Sequence, residues 1–192
     1  MLPLLLASSS PYRRELLSRL RLPFTSASPD IDENPLPGES PPQLVQRLAE
    51  QKARALALSH PAHLIIGSDQ VAVLDGQIIG KPHHFESARQ QLLNSSNRSL
   101  TFLTGLCLLN SSNGHCQVDC VPFTVHFREL DEQRIERYLQ IEQPYDCAGS
   151  FKAEGLGISL FRSTEGSDST SLVGLPLIRL VDMLLKEGVE LP

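Results

Sequence analysis

The chain has 192 residues, a length that fits one domain or one domain with two lobes. With 41% hydrophobic and 20% charged residues it is neither disordered nor collagen-like, and it is long enough to bury a sizeable core. A formal net charge of −5 at pH 7 supplies no overall positive field, which argues against a general nucleic-acid partner. Its apolar stretches are short of the roughly 20 residues a membrane-spanning helix needs, so no membrane partner is expected. The opening Met1-Leu2-Pro3-Leu4-Leu5-Leu6-Ala7 has the flavour of a signal sequence. It lacks a basic start, however, and runs directly into Tyr12-Arg13-Arg14-Glu15. It reads as a buried first strand, and the chain as cytoplasmic. The cysteines, Cys107, Cys116, Cys120 and Cys147, form no CxxC pair and suit reduced structural thiols. His115 with Cys116 and Cys120 offers a zinc set as the lesser alternative.

In chain order, Leu2 to Ala7 predicts a strand buried on both faces. Ser10 then Pro11 is a helix start, and a helix is expected over Tyr12 to Leu20. Phe24 to Ser28 reads as a second strand, and the acidic, proline-rich Asp30 to Pro42 as a loop. A helix is expected from about Pro42 to Leu58, with Leu44, Val45, Leu48, Ala55 and Leu56 in its apolar stripe. His63 to Ser68 reads as a central strand ending at Asp69, followed by a hairpin of Val71–Leu74 and Gln77–Ile79 around Asp75-Gly76. Phe85 to Leu93 is helical in pattern. Leu100 to Leu109 and Cys116 to Phe127 read as two long strands flanking Asn113-Gly114. Asp131 to Ile141 predicts a helix, and Leu172 to Glu187 a closing helix interrupted by Pro176. The sum is an α/β chain with antiparallel hairpins, no repeat and no linker, hence one domain over residues 1–192.

The chemistry concentrates at Ser8-Ser9-Ser10-Pro11-Tyr12-Arg13-Arg14. A strand feeding a serine-rich turn and a helix start makes an anion site, because unpaired N–H groups and the helix dipole favour negative charge there. Arg13 and Arg14 oppose that dipole unless an anion compensates, which points to phosphate; two solvated arginines are the plain alternative. Asp30, Asp32 and Glu33 stand on the following loop, with Lys52 on the next helix. Acids on loops are more often merely solvated. In Gly67-Ser68-Asp69-Gln70 a carboxylate ends the expected central strand, and ligands gather beyond such strand ends in open α/β sheets. Asp69 there can hold a divalent metal or accept a proton from water, or simply cap a turn. Gly76-Gln77-Ile78-Ile79-Gly80-Lys81-Pro82 fails as a phosphate-binding loop, since one residue is missing and Pro82 replaces the hydroxyl residue. Lys81 remains as a positive charge beside the site.

Taken together, Leu5-Leu6-Ala7-Ser8-Ser9-Ser10-Pro11-Tyr12-Arg13-Arg14-Glu15-Leu16-Leu17 resembles the opening signature of the Maf family of nucleotide pyrophosphatases. Asp32-Glu33, Ala49-Glu50-Gln51-Lys52-Ala53, Ile66-Gly67-Ser68-Asp69, Gly80-Lys81-Pro82, Ala148-Gly149-Ser150 and Val173-Gly174-Leu175-Pro176 follow in the family's order across almost the whole chain. Gly67-Ser68-Asp69-Gln70 and Gly149-Ser150-Phe151-Lys152-Ala153-Glu154-Gly155 are most similar to its YceF subgroup, whose substrate is 7-methyl-GTP. The resemblance implies an ITPase-like, two-lobed α/β fold: an elongated mixed sheet flanked by helices, with a central cleft. It implies hydrolysis of a nucleoside triphosphate to monophosphate and pyrophosphate with Mg2+ or Mn2+, and makes a homodimer plausible. It places Ser8, Ser10, Arg13, Glu33, Lys52, Asp69 and Lys81 in the catalytic site, with Asp69 as proton acceptor and Glu33 and Asp69 toward the metal. It places Tyr12, Gln70 and Glu154 where base preference is set, with Tyr12 standing where the subgroup usually has tryptophan. The competing readings are a pyrophosphatase for UTP, dTTP or modified pyrimidines, and a nucleotide-binding regulator of cell division without turnover.

Overall fold

The computed structural model describes residues 2–191. Met1, included in the opening apolar run, lies outside them. Seven strands form one mixed sheet in the order β2-β1-β3-β5-β6-β7, with β4 paired to β3. The helices are α1 (Pro11–Ser18), α2 (Pro41–Ala55), α3 (Phe85–Ser95), α4 (Glu132–Glu142), α5 (Thr170–Val173) and α6 (Leu177–Lys186). The strands are β1 (Leu4–Ala7), β2 (Phe24–Ala27), β3 (Leu64–Leu74), β4 (Gln77–Ile79), β5 (Ser99–Asn110), β6 (Cys116–Phe127) and β7 (Phe161–Glu165). The chain divides into two compact units: residues up to Gln70 with Leu103–Val121 and those from Asp168 onward, and Val71–Phe102 with Pro122–Ser167.

In the first unit β1 pairs in parallel with β2, from Leu4↔Phe24 to Ala7↔Ala27, and with β3, from Leu4↔Leu64 to Leu6↔Ile66. A parallel strand covered on both faces needs an unbroken apolar run, and all four residues of β1 are buried. Alternation then sends side chains to two separate layers. Leu4, Leu6, Leu64, Ile66, Leu106 and Leu108 pack with Leu16 and Leu17 of α1 and Leu180, Met183 and Leu184 of α6. Leu5, Ala7, Ile65, Cys107 and Leu109 pack instead against Ala49 and Ala53 of α2.

Two glycines set how closely α2 lies on the sheet. A Cβ at Gly67 would stand 2.0 Å from the Ala49 carbonyl oxygen, and one at Gly105 would stand 2.0 Å from that of Val45. Both are backbone atoms of α2, so no side-chain rotation could relieve either clash. The helix starts at Ser40, whose N–H donates to the Gln43 side chain at 3.0 Å. Its buried residues are Leu44, Val45, Leu48, Ala49, Lys52 and Ala53. Of the expected stripe, Leu44, Val45 and Leu48 are buried and Leu56 packs on the same layer, but Ala55 is exposed, and Ala49 and Ala53 are the buried alanines.

In the second unit Leu74↔Gln77 closes the β3–β4 hairpin, and both turn residues, Asp75 and Gly76, have positive φ, as a tight primed turn requires. Phe102, Phe127, Phe151 and Phe161 form an edge-to-face cluster with ring centroids 4.8–5.7 Å apart. Helix α3 packs on α4, and Arg89 of α3 reaches Glu132 at 3.0 Å and Glu136 at 3.4 Å.

One sequence expectation changes, one is met and one strand is added. β3 does not end at Asp69 but continues to Leu74, absorbing the segment read as a separate hairpin strand. The expected interruption of the closing helix at Pro176 divides it into α5 and α6, because proline lacks the N–H that would join them. Phe161–Glu165, a segment with no expected element, pairs antiparallel with β6.

Gly67→Ala should lower stability by at least ~2 kcal/mol, since the new methyl meets fixed helix backbone. Thermal unfolding should show a fall of roughly 4–8 °C for a chain of this length. Gly80→Ala, where a Cβ meets nothing within 4 Å, is the matched control and should stay within about 0.5 kcal/mol of wild type.

Candidate active site

Lys52 occupies a core position of α2 and is only 7% exposed. A buried ammonium is tolerable only when paired and hydrogen-bonded. Its Nζ donates to Asp69 Oδ1 at 2.7 Å and lies 2.9 Å from Glu33 Oε1. Asp69 is itself 8% exposed, whereas the Glu33 carboxylate is open to solvent. Residues 65, 67 and 69 of β3 share the face toward α2. Gly67 thus lets the helix descend, and Asp69 meets Lys52 two residues farther on. The last residue of β3 paired with β1 is Ile66, so Asp69 stands beyond the end of that neighbour even though its own strand continues.

Glu33 sits on the acidic loop, which α2 also holds. Arg47 donates to both Glu39 oxygens, Nε to Oε1 at 2.6 Å and Nη2 to Oε2 at 2.8 Å, and Nη2 also donates to the Asn34 carbonyl at 3.0 Å. This fork pushes the Glu39 carboxyl down to about 2, with the Leu36 N–H adding to it. Asp32 closes the loop by accepting from the Asn34 N–H at 3.0 Å and from its amide at 2.7 Å. Arg47 and Glu39 escaped the sequence reading, although the Pro-Gly-Glu39 turn followed by an arginine eight residues later is visible there.

The first turn divides its two arginines. Arg14 is exposed, whereas Arg13 turns inward and donates from Nε to the Gly174 carbonyl at 2.8 Å. Burial lowers the Arg13 pKa, and the charges of Asp69 and Glu33 work against that shift. Arg13 therefore lies within the field of the same carboxylates that hold Lys52. Ser8 is buried, and its Oγ accepts from the Ser10 N–H at 3.1 Å. Ser10 is the helix N-cap, accepting from the Arg13 N–H at 3.4 Å. Serines expected beside an anion thus also shape the turn that would receive it. Tyr12 is partly buried on this turn.

Residues 66, 68 and 70 of β3 point to the opposite face. Ser68 Oγ lies 2.9 Å from the Gly105 carbonyl and 3.0 Å from that of Gly174. Gly174 thus fixes both Arg13 and the strand beside Asp69. Gln70 Nε2 donates to Thr104 Oγ1 at 3.0 Å and to the carbonyls of Ser171 at 2.7 Å and Leu172 at 3.2 Å. Its amide nitrogen is committed to the framework. The α5 segment is anchored by buried Asp168, which accepts from the Thr170 N–H at 2.9 Å and the Ile178 N–H at 2.8 Å. Asp168 thereby caps α6, a task Pro176 has no side chain to perform. The sequence reading overlooked it, although Asp168-Ser169-Thr170 before a helix has the form of an Asx turn.

Lys81 and Glu154 belong to the second unit and are exposed there. Lys81 follows Gly80, whose carbonyl accepts from Gln91 Nε2 at 3.0 Å. The Glu154 turn is bound to α4: the Lys152 N–H donates to the Tyr138 hydroxyl at 3.1 Å, and the Leu156 N–H to Glu142 Oε2 at 2.7 Å. Among the described residues no group of three or more His, Cys, Asp or Glu side chains could hold a metal ion. His115 lies 2.5 Å from Glu187 and Cys116 3.5 Å from Cys107, so the residues of the zinc alternative have other partners.

A buried lysine between two carboxylates, with an inward arginine close by, can bind phosphate oxygens, orient a cation and accept a proton from water. The sequence profile described as Maf-like protein matches residues 3–187. A 7-methyl-GTP pyrophosphatase of Pseudomonas fluorescens (strain Pf-5) is 80% identical over 192 residues, covering the whole of both chains. Proteins of the same name from Pseudomonas syringae pv. tomato and Pseudomonas aeruginosa are 76% and 72% identical over 189 residues, 98% of each chain. The chain, α/β in architecture with its mixed sheet flanked by helices, belongs to the Maf family.

Proposed function

We propose that this chain is a nucleotide pyrophosphatase that hydrolyses 7-methyl-GTP to 7-methyl-GMP and pyrophosphate. The observation that carries the reading is the buried Lys52 shared by Asp69 and Glu33, with Arg13 in the same field. Relatives 72–80% identical along their whole length and named for that reaction support the choice of substrate.

Attack of water on the α-phosphorus breaks the bond to the bridging oxygen, and negative charge gathers on the departing pyrophosphate. Arg13, Lys52 and Lys81 supply the cations that stabilise this charge, an effect commonly worth several kcal/mol per group. Asp69 takes the proton of the attacking water through Oδ2, since Oδ1 accepts from Lys52. Ser8 and Ser10 hold the turn on which the phosphates rest. Glu33 and Asp69 are hard oxygen donors, and two carboxylates completed by water and phosphate oxygens are a common way to hold Mg2+ or Mn2+. Such a cation, when bound, supplies further neutralisation of the triphosphate.

Methylation at guanine N7 makes the base cationic. The aromatic face of Tyr12 can stack on it, and the Glu154 carboxylate can accept protons from the guanine edge. Gln70 supports this reading from the framework side, by holding β3 to α5. The cytoplasm is the proposed compartment, consistent with four free cysteines.

Asp69→Asn should reduce turnover by at least ~100-fold, while Glu33 still pairs Lys52 and keeps the fold. Pyrophosphate release from 7-methyl-GTP, GTP and UTP, with Mg2+ and with Mn2+, measures it. Turnover within about threefold of wild type removes Asp69 as proton acceptor, and a wild-type preference for UTP would overturn the substrate while leaving the reaction class.

Glu154→Gln should cost roughly tenfold to a hundredfold in kcat/KM, confined to guanine substrates, because the amide turns a donor toward donors on the base. Tyr12→Ala should penalise 7-methyl-GTP more than GTP. An equal loss on GTP, 7-methyl-GTP and UTP would mean that neither residue reads the base.

A further inference from the structure

Away from the charged site, Cys107 of β5 and Cys116 of β6 place their sulfurs 3.5 Å apart. The register explains the approach. Asn110 N–H donates to His115 O and Phe127 N–H to Arg98 O, pairs that fix an antiparallel alignment with Cys107 opposite Val118 and Cys116 opposite Leu109. The cysteines are therefore diagonal neighbours, and with Leu109 and Val118 they share the face toward α2. Cys107 is fully buried, whereas Cys116 is partly exposed at the mouth of the β5–β6 hairpin.

We propose that Cys107 and Cys116 form a reversible peroxide-oxidation site, in which Cys116 is the attacked thiol and Cys107 resolves it as a disulfide. Cys116 is the more acidic of the two, because the Cys107 thiol hydrogen-bonds to it and nearby Arg54 and His115 favour its thiolate, against Glu50 and partial burial. Burial and the same hydrogen bond push the Cys107 thiol up, so it holds its proton until its neighbour is oxidised. In the first step the Cys116 thiolate attacks peroxide: an S–O bond forms, the O–O bond breaks, and hydroxide leaves to become water. In the second, the Cys107 sulfur loses its proton and attacks the sulfenic sulfur: S–S forms, S–O breaks, and a second water leaves. Two thiols are oxidised to one disulfide as one hydrogen peroxide is reduced to two waters. Bond formation must bring the sulfurs from 3.5 Å to about 2.05 Å. Cys120 and Cys147, whose thiols burial pushes up, take no part.

The test treats the fully reduced protein with stoichiometric hydrogen peroxide, blocks remaining thiols by alkylation in denaturant, and maps the peptides. Wild type should fall from four free thiols to two, with the Cys107 and Cys116 peptides joined, and dithiothreitol should restore all four. Cys116→Ser should retain its thiols over the same interval. Cys107→Ala should leave a Cys116 sulfenic acid that a 1,3-dione reagent traps. The double variant Cys120→Ser/Cys147→Ser should behave as wild type. A bridge through Cys120 or Cys147, a disulfide between two chains, or four intact thiols after a peroxide dose that oxidises dithiothreitol would each overturn the assignment. The wild-type map stands without any variant, so a destabilised Cys107→Ala does not remove the test.

Discussion

Everything at the charged site depends on keeping one ammonium, Lys52, out of water. An isolated buried cation costs several kcal/mol, so the fold must deliver counter-charges to it. It does so by pressing α2 onto β3 and β5 until only glycine fits at 67 and 105, where any Cβ would reach helix carbonyls at 2.0 Å. That contact fixes the height of the helix, and Asp69, two residues beyond Gly67 on the same face, meets Lys52 at 2.7 Å. The glycines thus act at a distance from the chemistry but set its geometry. Losing both carboxylates would leave a buried, unpaired charge.

The two faces of β3 divide the work. The face carrying Ile65, Gly67 and Asp69 builds the ion pair against α2. The face carrying Ile66, Ser68 and Gln70 is tied by hydrogen bonds to Gly105, Thr104 and the α5 segment. Gly174 belongs to the second group, yet its carbonyl also holds Arg13, so the framework positions a cation as well as a strand. Asp168 stands behind this turn and supplies the cap that Pro176 lacks. Asp168 therefore helps to hold the segment that carries Gly174.

Much of this was legible in the sequence because the signals were local. The apolar Leu4–Ala7, the Ser10-Pro11 helix start and the Asp75-Gly76 and Asn113-Gly114 turns each depend on neighbouring residues alone. The β5 and β6 limits were found within a residue for the same reason. Asp69 and Lys52 were named from residue type and resemblance, but not their contact, which joins residues 17 apart through a helix–sheet packing no local pattern encodes. Lys52 did carry a signal: a lysine at a core position of an amphipathic helix demands a buried partner. The continuation of β3 past Asp69 was hidden because a polar Ser-Asp-Gln run resembles a strand end. Its pairing with β4 and β5, not its composition, keeps it extended. Gln70 shows the converse limit: residue type suggested contact with a base, and the structure gives its amide nitrogen three framework acceptors.

The same difference in burial would order events if a triphosphate binds here as proposed. Before substrate, Glu33 and Asp69 share a single ammonium, and Arg13 balances the remaining negative charge from the neighbouring turn. Under the proposed function phosphate oxygens would compete with both carboxylates for these cations, and Glu33, the exposed partner on a loop, would give way more easily than buried Asp69. In the proposed reaction Lys52 would serve the phosphates without abandoning Asp69, and Glu33 would be free to help hold a divalent cation. Arg47 ties that loop to α2 through the Asn34 carbonyl, immediately after Glu33, and through the Glu39 carboxylate. A single helix therefore holds the permanent pair and restrains the exchangeable one, and its seat on two glycines links both to the sheet.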